Sequence, residues 1–260
     1  MTAKDVILAR KLGGGGGGGT EITDGIVVKA RDSKGYATEI DYYNSTGAIP
    51  KLEFGNSRSV GAGTWSASFI TKINLKDNAY TVGSEAFYGC EKLTTIDFSK
   101  FTEFPNAGSN NTGWHSQFRG CSGLTVIDAP NLTGGLGVFA FYDCKGITTV
   151  NMPKINALHG YGSAGRGCFG GCTAMVEATF GSIGHPVETI NIAAFGGCTQ
   201  SGLTITVYTT AAYADTAVAN IRNGATNATI IIKASEDTTY NDVSYAAGET
   251  MITSTVEAAT

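Results

Sequence analysis

Charged side chains are scarce in this 260-residue sequence, where Asp, Glu, Lys and Arg make up 15% of the residues. About a quarter is usual for globular domains. The net charge is −4 and no basic run is present, so binding to the phosphate backbone of a nucleic acid is not expected. No stretch approaches the ~18 consecutive apolar residues of a membrane-spanning helix, and membrane insertion is therefore not expected either.

A signal-peptide core is also missing. The apolar run Val6–Ala9 is short and is followed at once by Arg10 and Lys11, whereas an exported protein carries a longer apolar segment. We therefore expect a chain made without export, in a reducing cytoplasm, so its six cysteines should be thiols.

The residue patterns of metal centres and nucleophilic active sites are absent as well. The sequence has three histidines but no His-x-x-x-His or Cys-x-x-Cys pair, and Cys168 and Cys172 have no histidine at a matching spacing. The glycine run Gly13–Gly19 lacks the Lys-Ser/Thr ending of a phosphate-binding loop. No Ser or Cys is paired with a candidate base. The sequence therefore predicts no catalytic residue, no metal site and no cofactor, and hence a protein that is not an enzyme.

What the sequence does contain is an irregular repeat. Five cysteines lie three residues after a phenylalanine, in the pairs Phe87/Cys90, Phe118/Cys121, Phe141/Cys144, Phe169/Cys172 and Phe195/Cys198. In the first four, apolar residues follow the cysteine at steps of three, three and two, as in Leu93, Ile96 and Phe98. The unit is F-x-x-C-x-x-L-x-x-I-x-Φ, where Φ is apolar. Its tail also occurs twice upstream, as Ile49-Leu52-Phe54 and Ile70-Ile73-Leu75.

The spacing within the unit predicts one short strand per repeat. A step of two places both side chains on one face of a strand, and steps of 21 to 31 residues between units leave room for a turn-rich return. One unit cannot bury its apolar face alone, but stacked units can. We expect the repeat phenylalanines to be buried and the five cysteines to act as small buried hydrophobic residues.

The segment A-F-Y-G-C-E-K-L-T-T-I-D-F (Ala86 to Phe98) resembles the bacterial surface-antigen (BspA-like) type of leucine-rich repeat. The resemblance covers roughly residues 49–207, with variable repeat lengths and proline after the strand only at Pro130 and Pro153. It implies a mainly β solenoid of irregular leucine-rich repeats, with short strands and turn-rich returns. Such repeats are found in surface adhesins and in proteins of phages and prophages.

The two ends differ in composition from the repeats. Residues 1–19 are interpreted as an attachment segment and polyglycine linker, where the glycines form either a flexible linker or a tight contact between several chains. Val6–Leu12 and the glycine run resemble the start of phage and prophage tail proteins.

Residues 20–48 are expected to form N-terminal strands, 49–207 the solenoid, and 208–260 a small α/β cap and a polar tail. In this cap we predict a helix from Ala211 to Arg222, a strand from Thr229 to Lys233, and an extended contact arm to Thr260.

Two sets of residues are candidates for binding. Between the two apolar residues of each strand lie Glu53, Asn74, Asp97, Asp128, Asn151 and Thr179. Stacking would align these side chains as a polar row on one face, either as an ordinary solvated face or as a ligand-binding surface. The aromatic loop residues Trp65, Trp114, His115 and Tyr161 are the alternative, since exposed aromatic side chains often anchor a partner.

These patterns favour a structural protein of a phage virion, either a tail fibre or a receptor-binding component. Its N-terminus would bind other virion proteins, and its repeats would face a host-surface polysaccharide or protein, with a homo-oligomer such as a trimer as a further expectation. A fibre or decoration protein of the capsid head and a bacterial surface adhesin are the alternatives. The expected location is the virion, assembled in the host cytoplasm.

Overall fold

The structure is a computed structural model that describes residues 24–50, 69–76, 79–105, 116–162 and 166–255. Within these ranges the chain is a repeat protein built mostly of short strands with few helices. The strands are β1 (Asp24–Arg31), β2 (Ala37–Asn44), β3 (Ala48–Ile49), β4 (Lys72–Leu75), β5 (Tyr80–Val82), β6 (Thr95–Ile96), β7 (Phe101–Glu103), β8 (Val126–Asp128), β9 (Gly134–Leu136), β10 (Thr149–Met152), β11 (Ile155–Leu158), β12 (Gly160–Tyr161), β13 (Arg166–Gly167), β14 (Glu177–Phe180), β15 (Thr189–Ile190), β16 (Thr204–Thr209), β17 (Thr229–Ala234), β18 (Thr238–Tyr240), β19 (Val243–Tyr245) and β20 (Thr250–Ser254). The α-helix is α1 (Ala214–Gly224), and 3-10 turns lie at Phe98–Lys100 and Ala211–Tyr213.

The strands predicted from the repeat tail form parallel sheets. In the C-terminal sheet, of order β20-β17-β16-β14-β10-β8, Val150 pairs with Ile127 of the preceding repeat and with Ala178 of the following one. All three side chains are buried, while the residues that alternate with them point outward, as the two-residue period of a strand requires. Equivalent positions of successive repeats therefore lie side by side.

The N-terminal sheet, of order β1-β2-β4-β6, begins one element earlier than the sequence predicts. The neighbour of β4 is β2, in which Ile40 and Tyr42 pair with Ile73 and Leu75. The segment expected in that place starts at Ile49, which instead pairs with Val82 in a second row of strands. The other two residues of that predicted tail, Leu52 and Phe54, lie outside the described residues.

The return segments, predicted from the sequence to be turn-rich, also contain strands. The return strands pair in the orders β3-β5-β7 and β15-β11-β9, and a parallel bridge between Glu103 and Thr133 connects the two sets. Threonine hydroxyls reinforce this row: Thr102 Oγ1 donates to Tyr80 O (3.1 Å) and Thr133 Oγ1 donates to Thr102 O (3.0 Å). Strands of two to four residues are too short to show a sequence period, so they are recognised only through their pairing.

The Phe-x-x-Cys segments form tight turns, here called Phe-Cys turns, that stack on one another. Gly89 N donates to Arg119 O and Gly120 N donates to Tyr142 O, both at 2.8 Å. Gly89 and Gly120 have φ of +73° and +76°, a region that glycine adopts without steric cost. The residue before the cysteine is therefore glycine in these two turns because the turn requires a left-handed backbone.

The phenylalanines of the Phe-Cys turns stack as parallel rings through the centre of the molecule. The successive pairs are Phe87–Phe118, Phe118–Phe141, Phe141–Phe169 and Phe169–Phe195, with centroid distances of 4.5, 5.3, 5.4 and 5.8 Å and interplanar angles of 10° or less. All five are buried, as predicted. The phenylalanine column is the axis of the hydrophobic core.

The C-terminal region agrees with the predicted helix and strand. Residues 211–224 are helical, although the first turn is 3-10 and Thr210, the residue at its N-cap, makes no side-chain capping hydrogen bond. The helix covers the edge of the return strands, where Tyr213 Oη accepts from Ile190 N (2.6 Å) and donates to Ile190 O (3.2 Å). Asn220 Nδ2 donates to the same carbonyl at 2.7 Å.

The tail does not form the extended arm that the sequence predicts. Strands β18 and β19 form an antiparallel hairpin, and β20 pairs antiparallel with β17 at the edge of the C-terminal sheet. Its Met251 is buried against the core. The prediction was wrong because polar composition alone does not reveal a strand that completes a sheet by pairing.

Candidate functional site

The polar row is present on the outer face of the C-terminal sheet. Asp128, Asn151 and Thr179 lie in register in β8, β10 and β14, and Thr206 of β16 continues the row. Asn151 Nδ2 donates to Asp128 Oδ1 at 2.8 Å. Asp128 is exposed, and the other three side chains are partly exposed. The structure thus brings together three of the predicted candidates as a continuous strip of carboxylate, amide and hydroxyl groups.

A second polar group lies on the outer face of the N-terminal sheet. Asn74 Nδ2 donates to Asp41 Oδ1 and to Glu39 Oε1, both at 2.9 Å. Asp41 is only 5% exposed and forms ion pairs with Lys76 (3.2 Å) and Lys29 (3.9 Å). The side-chain amide of Asn74 therefore donates its hydrogen bonds within the protein. Its role in binding a ligand stays a prediction.

Hydrogen bonds also favour the ionised form of Glu39. The amide of Asn74 and the ammonium group of Lys72, whose Nζ lies 3.0 Å from Glu39 Oε1, both favour the ionised carboxylate. The hydrogen bond from Asn74 is the larger cause, and together these contacts lower the pKa of Glu39 below its usual value. Lysine ammonium groups thus lie beside both carboxyl groups of the network.

Sequence reasoning missed Asp41, although it lies in the row position that Glu53 was expected to occupy. Asp41 pairs in register with Asn74, whereas Glu53 lies outside the described residues. The signal was present in the alternation Ile40-Asp41-Tyr42. That segment lacks a preceding Phe-x-x-Cys and so was not aligned with the repeats.

Asp97 differs from the other members of the predicted row because it has a local structural partner. Its Oδ1 accepts hydrogen bonds from Ser99 N (3.0 Å) and Ser99 Oγ (2.5 Å), which makes Asp97 the N-cap of the 3-10 turn Phe98–Lys100. Capping satisfies a backbone donor at the start of such a turn. Substitution of Asp97 would therefore alter local structure as well as surface charge.

The aromatic candidates are only partly described. Trp65, Trp114 and His115 lie outside the described residues. Tyr161 is 43% exposed in the short hairpin of β12 and β13, where it pairs with Arg166. Of the other histidines, His185 is exposed, whereas His159 is buried beside Asn191, with Nδ1 3.2 Å from Asn191 Oδ1.

The repeat cysteines are buried free thiols, and they also donate hydrogen bonds between repeats. The thiols of Cys121, Cys144, Cys172 and Cys198 lie 2.9 to 3.2 Å from the carbonyl oxygen of the phenylalanine one repeat earlier. Burial raises the pKa of these four thiols, to about 12 for Cys144 and Cys198. Such thiols stay protonated at neutral pH, and the thiolate is the reactive form of cysteine.

The surface of the Phe-Cys turns carries a group of residues that sequence reasoning did not select. Tyr88, Arg119 and Tyr142 each follow the repeat phenylalanine directly, and the guanidinium carbon of Arg119 lies 5.6 and 5.3 Å from the two tyrosine ring centroids. The ring of Phe139 is 5.2 Å from the same carbon. We call these four residues the arginine–aromatic cluster. The available signal was the second residue of each F-x-x-C unit, read down the repeats.

The exposed part of the polar row carries groups that can accept and donate hydrogen bonds. Across the described ranges, no group of three or more His, Cys, Asp or Glu side chains is placed to hold a metal ion. A search of the same ranges for a helix of sufficient length and apolar character to cross a membrane finds none.

Comparison with known proteins identifies the repeat. Comparisons with curated proteins and with solved structures give no significant match. A family model described as the BspA type leucine-rich repeat region matches residues 58–111 and 114–216 in six copies. These residues include all five Phe-Cys turns and amount to more than half of the sequence. The chain therefore belongs to the family of BspA-type leucine-rich repeat proteins.

Proposed function

We propose that the chain is a non-enzymatic structural protein of a phage virion, a tail fibre or another component that contacts a host receptor. In this proposal the stacked repeats form a solenoid that presents its outer faces to a partner. The observation that carries the proposal is the register of Asp128, Asn151 and Thr179 on adjacent strands. Adjacent strands lie about 4.8 Å apart, so the backbone holds these polar groups at fixed intervals.

Rigid spacing favours binding to an extended ligand. Side chains on paired strands have little freedom left to lose on binding, which lowers the entropic cost of association. The row offers acceptors and donors from a carboxylate, an amide and a hydroxyl, a set suited to the hydroxyl groups of a surface polysaccharide or to a polar protein surface. The same stacking would also suit a protein that acts only as a spacer. The experiments below distinguish a spacer from a receptor-binding protein.

The virion assignment rests on the N-terminal sequence, which lies outside the described residues. Val6–Leu12 followed by Gly13–Gly19 resembles the start of phage and prophage tail proteins. We propose that residues 1–19 attach the protein to other virion proteins and to copies of itself, as in a trimer. The described core is built from residues 26 onward, so removal of residues 1–19 is expected to leave the repeats folded.

Deletion of residues 1–19 tests the attachment. The truncated chain is expected to keep its thermal unfolding midpoint but to be lost from purified phage particles and from any homo-oligomer detected by analytical ultracentrifugation. Incorporation at the level of the full chain would contradict the proposed role.

Immunogold labelling of the full chain tests its position: label on tails supports a tail fibre, and label on capsids supports the head-fibre alternative. Label on bacterial cells alone would support the adhesin.

The polar row is tested with the triple variant Asp128→Ala, Asn151→Ala, Thr179→Ala. Asp97 is kept because it caps a turn. The variant should fold normally, since surface substitutions usually change stability by less than about 0.5 kcal/mol each, and it should attach less well to host cells. The matched control replaces the exposed Asn156, Glu188 and Thr189 of the return-strand side with alanine and should attach normally. Equal attachment of both triple variants would show that the polar row is not the receptor site.

A further inference from the structure

We propose that a groove at the open end of the β18–β19 hairpin binds an amino sugar, as one unit of a polysaccharide. The groove lies apart from the polar row, so its ligand goes beyond the proposed function and is independent of attachment to a virion. The residues that line it are Asp237, Thr238, Thr239, Ser244, Tyr245 and Ala246.

The first observation is the groove itself. It has a volume of about 450 Å³, which lies in the usual range of small-molecule sites, roughly 300–1,000 Å³. Thr238 pairs with Tyr245 and Thr239 pairs with Ser244 across the hairpin, so both strands contribute to the lining. The groove is open to solvent. An open groove can accept one unit of a longer chain, because the neighbouring units can extend into solvent.

The second observation is the chemistry of the lining. Four of the six lining residues carry hydroxyl groups, and Tyr245 adds an aromatic ring. Within the described ranges, none of these four hydroxyls forms a hydrogen bond with another residue, so their donors and acceptors are available to a ligand. Tyrosine combines an apolar ring with a polar end. Hydroxyls around an aromatic ring match a pyranose, which has hydroxyls at its rim and C–H groups on its face.

The third observation is the local charge. Residues 234–255 include four acidic residues and no Lys or Arg. The acidic side chains, all exposed, are Glu236, Asp237, Asp242 and Glu249. A surface that carries acidic groups and no basic ones attracts cations and disfavours anions. Because Asp237 lines the groove itself, the sugar is expected to carry a positive charge, which the protonated amine of an amino sugar supplies.

The hairpin is held in place before a ligand arrives. Tyr240 Oη donates to Asp215 Oδ1 of helix α1 at 2.7 Å, and Tyr240 and Tyr245 pack against the hydrophobic core. Asp237 Oδ1 accepts from Ala247 N at 3.0 Å. This hydrogen bond orients the carboxyl group, and Oδ2 has no partner among the described residues. Preorganisation of this kind reduces the entropic cost of binding.

The experiment titrates the full chain by calorimetry and ¹H–¹⁵N NMR at slightly acidic pH, where amines are protonated. The probes are a β-1,4-linked glucosamine trisaccharide, its N-acetylated form, which lacks the charge, and ethylamine, which lacks the ring. We expect the glucosamine trisaccharide to bind at least about fivefold more tightly than either other probe, as an ion pair of about 1 kcal/mol would give. The largest shifts should lie at Thr238, Thr239 and Ser244. Binding should weaken when salt is raised from about 0.05 to 0.5 M, because salt screens charge pairs.

Variants make the assignment specific. Asp237→Asn keeps an oxygen that can accept from Ala247 N but removes the charge, so it should weaken glucosamine binding to the level of the N-acetylated probe. The double variant Thr239→Ala, Ser244→Ala should also weaken it, because two hydroxyls are lost. The matched control is Asp242→Asn, which makes the same chemical change outside the groove and should bind like the natural chain. All of these residues are exposed, so each variant should retain the circular dichroism spectrum.

Four outcomes would overturn the proposal. They are equal binding of the two trisaccharides, equal binding of ethylamine and the glucosamine probe, unchanged binding by Asp237→Asn, and no detectable binding of the glucosamine probe up to about 10 mM, a weakness beyond specific recognition. The polar-row variant Asp128→Ala, Asn151→Ala, Thr179→Ala should bind the probe like the natural chain. Failure here would therefore leave the proposed function intact, and failure of the polar row or of incorporation would leave this site intact.

Discussion

The ring of Phe118 lies parallel to the ring of Phe141, with centroids 5.3 Å apart and planes 6° apart. Both side chains are fully buried, and each belongs to a different repeat. The same contact recurs between Phe141 and Phe169 at 5.4 Å and 4°. Each phenylalanine thus fills the space between its two neighbours, which couples the stability of adjacent repeats.

Phe141→Ala is expected to lower the free energy of unfolding by about 3–5 kcal/mol, the usual effect of removing a buried aromatic side chain. The loss has two sources, the burial of the ring and the cavity left between Phe118 and Phe169. Urea denaturation followed by circular dichroism measures it. Tyr161→Ala, at an exposed position, is the control and should change stability by less than about 0.5 kcal/mol. If Phe141→Ala lowers the free energy of unfolding by less than about 1 kcal/mol, the stacked phenylalanines do not determine the stability of the core.

The buried thiols should be unreactive in the native protein. Burial raises the pKa of Cys144 and Cys198 to about 12, and that of Cys121, Cys168 and Cys172 well above the usual range. We expect these five thiols to react with Ellman's reagent at neutral pH only when denaturant is added, because only the unfolded chain exposes thiolates. Rapid labelling of most of them without denaturant would contradict the structure.

The same pKa shifts predict loss of stability at alkaline pH. Unfolded thiols ionise near pH ~8.5, whereas the folded thiols keep their protons up to higher pH. The unfolded state therefore binds fewer protons above this pH, and stability falls as pH rises, by roughly 1.4 kcal/mol per pH unit for each such thiol. Urea midpoints measured from pH 8 to 10 test this. Cys144→Ala removes one titrating group, so its stability should fall less steeply with pH; an unchanged slope would contradict the assignment.

The network around Asn74 should respond to acid. The pKa of Glu39 is lowered in the folded state. Glu39 therefore contributes stability at pH values above ~4.3, the pKa of a glutamate in the unfolded chain. That contribution is lost as the pH falls below this value through the folded pKa. Asn74→Ala removes the largest cause and should move the pKa of Glu39 up towards its ordinary value, as measured by NMR titration of the carboxyl carbon. Lys145→Ala, at an exposed position outside the network, should leave the titration unchanged. An unaltered Glu39 titration in Asn74→Ala would rule out the hydrogen bond as the cause.

Tyr213→Phe tests how the helical segment 211–224 closes the row of return strands. The substitution keeps the ring but removes both hydrogen bonds to the backbone of Ile190. Net contributions of about 0.5–1.5 kcal/mol per hydrogen bond are typical, so a loss of roughly 1–3 kcal/mol is expected. Hydrogen exchange should show faster exchange at Ile190 N. Tyr208→Phe, on the neighbouring strand β16, serves as the comparison and should leave Ile190 protected.

Local sequence pattern predicts the repeat unit, the burial of its phenylalanines and cysteines, and the apolar alternation of strands such as β10. These features follow from side-chain spacing within about a dozen residues. The row formed by Asp128, Asn151 and Thr179 could also be predicted, because strands paired in register place these three residues side by side. The helix at residues 211–224 could be predicted from its composition and end signals.

Only the tertiary structure decides which segments meet. Asp41 bonds to Asn74 across 33 residues, and Arg119 lies beside Tyr88 and Tyr142 of other repeats. The sequence marks each of these residues but not their partners. The return strands and β20 likewise exist only through pairing, which depends on where connections of unequal length bring the chain back. The spacing of apolar side chains is a local property of the sequence. Strand pairing depends on the whole molecule, because the hydrogen bonds and burial that it gains must exceed the entropic cost of loop closure.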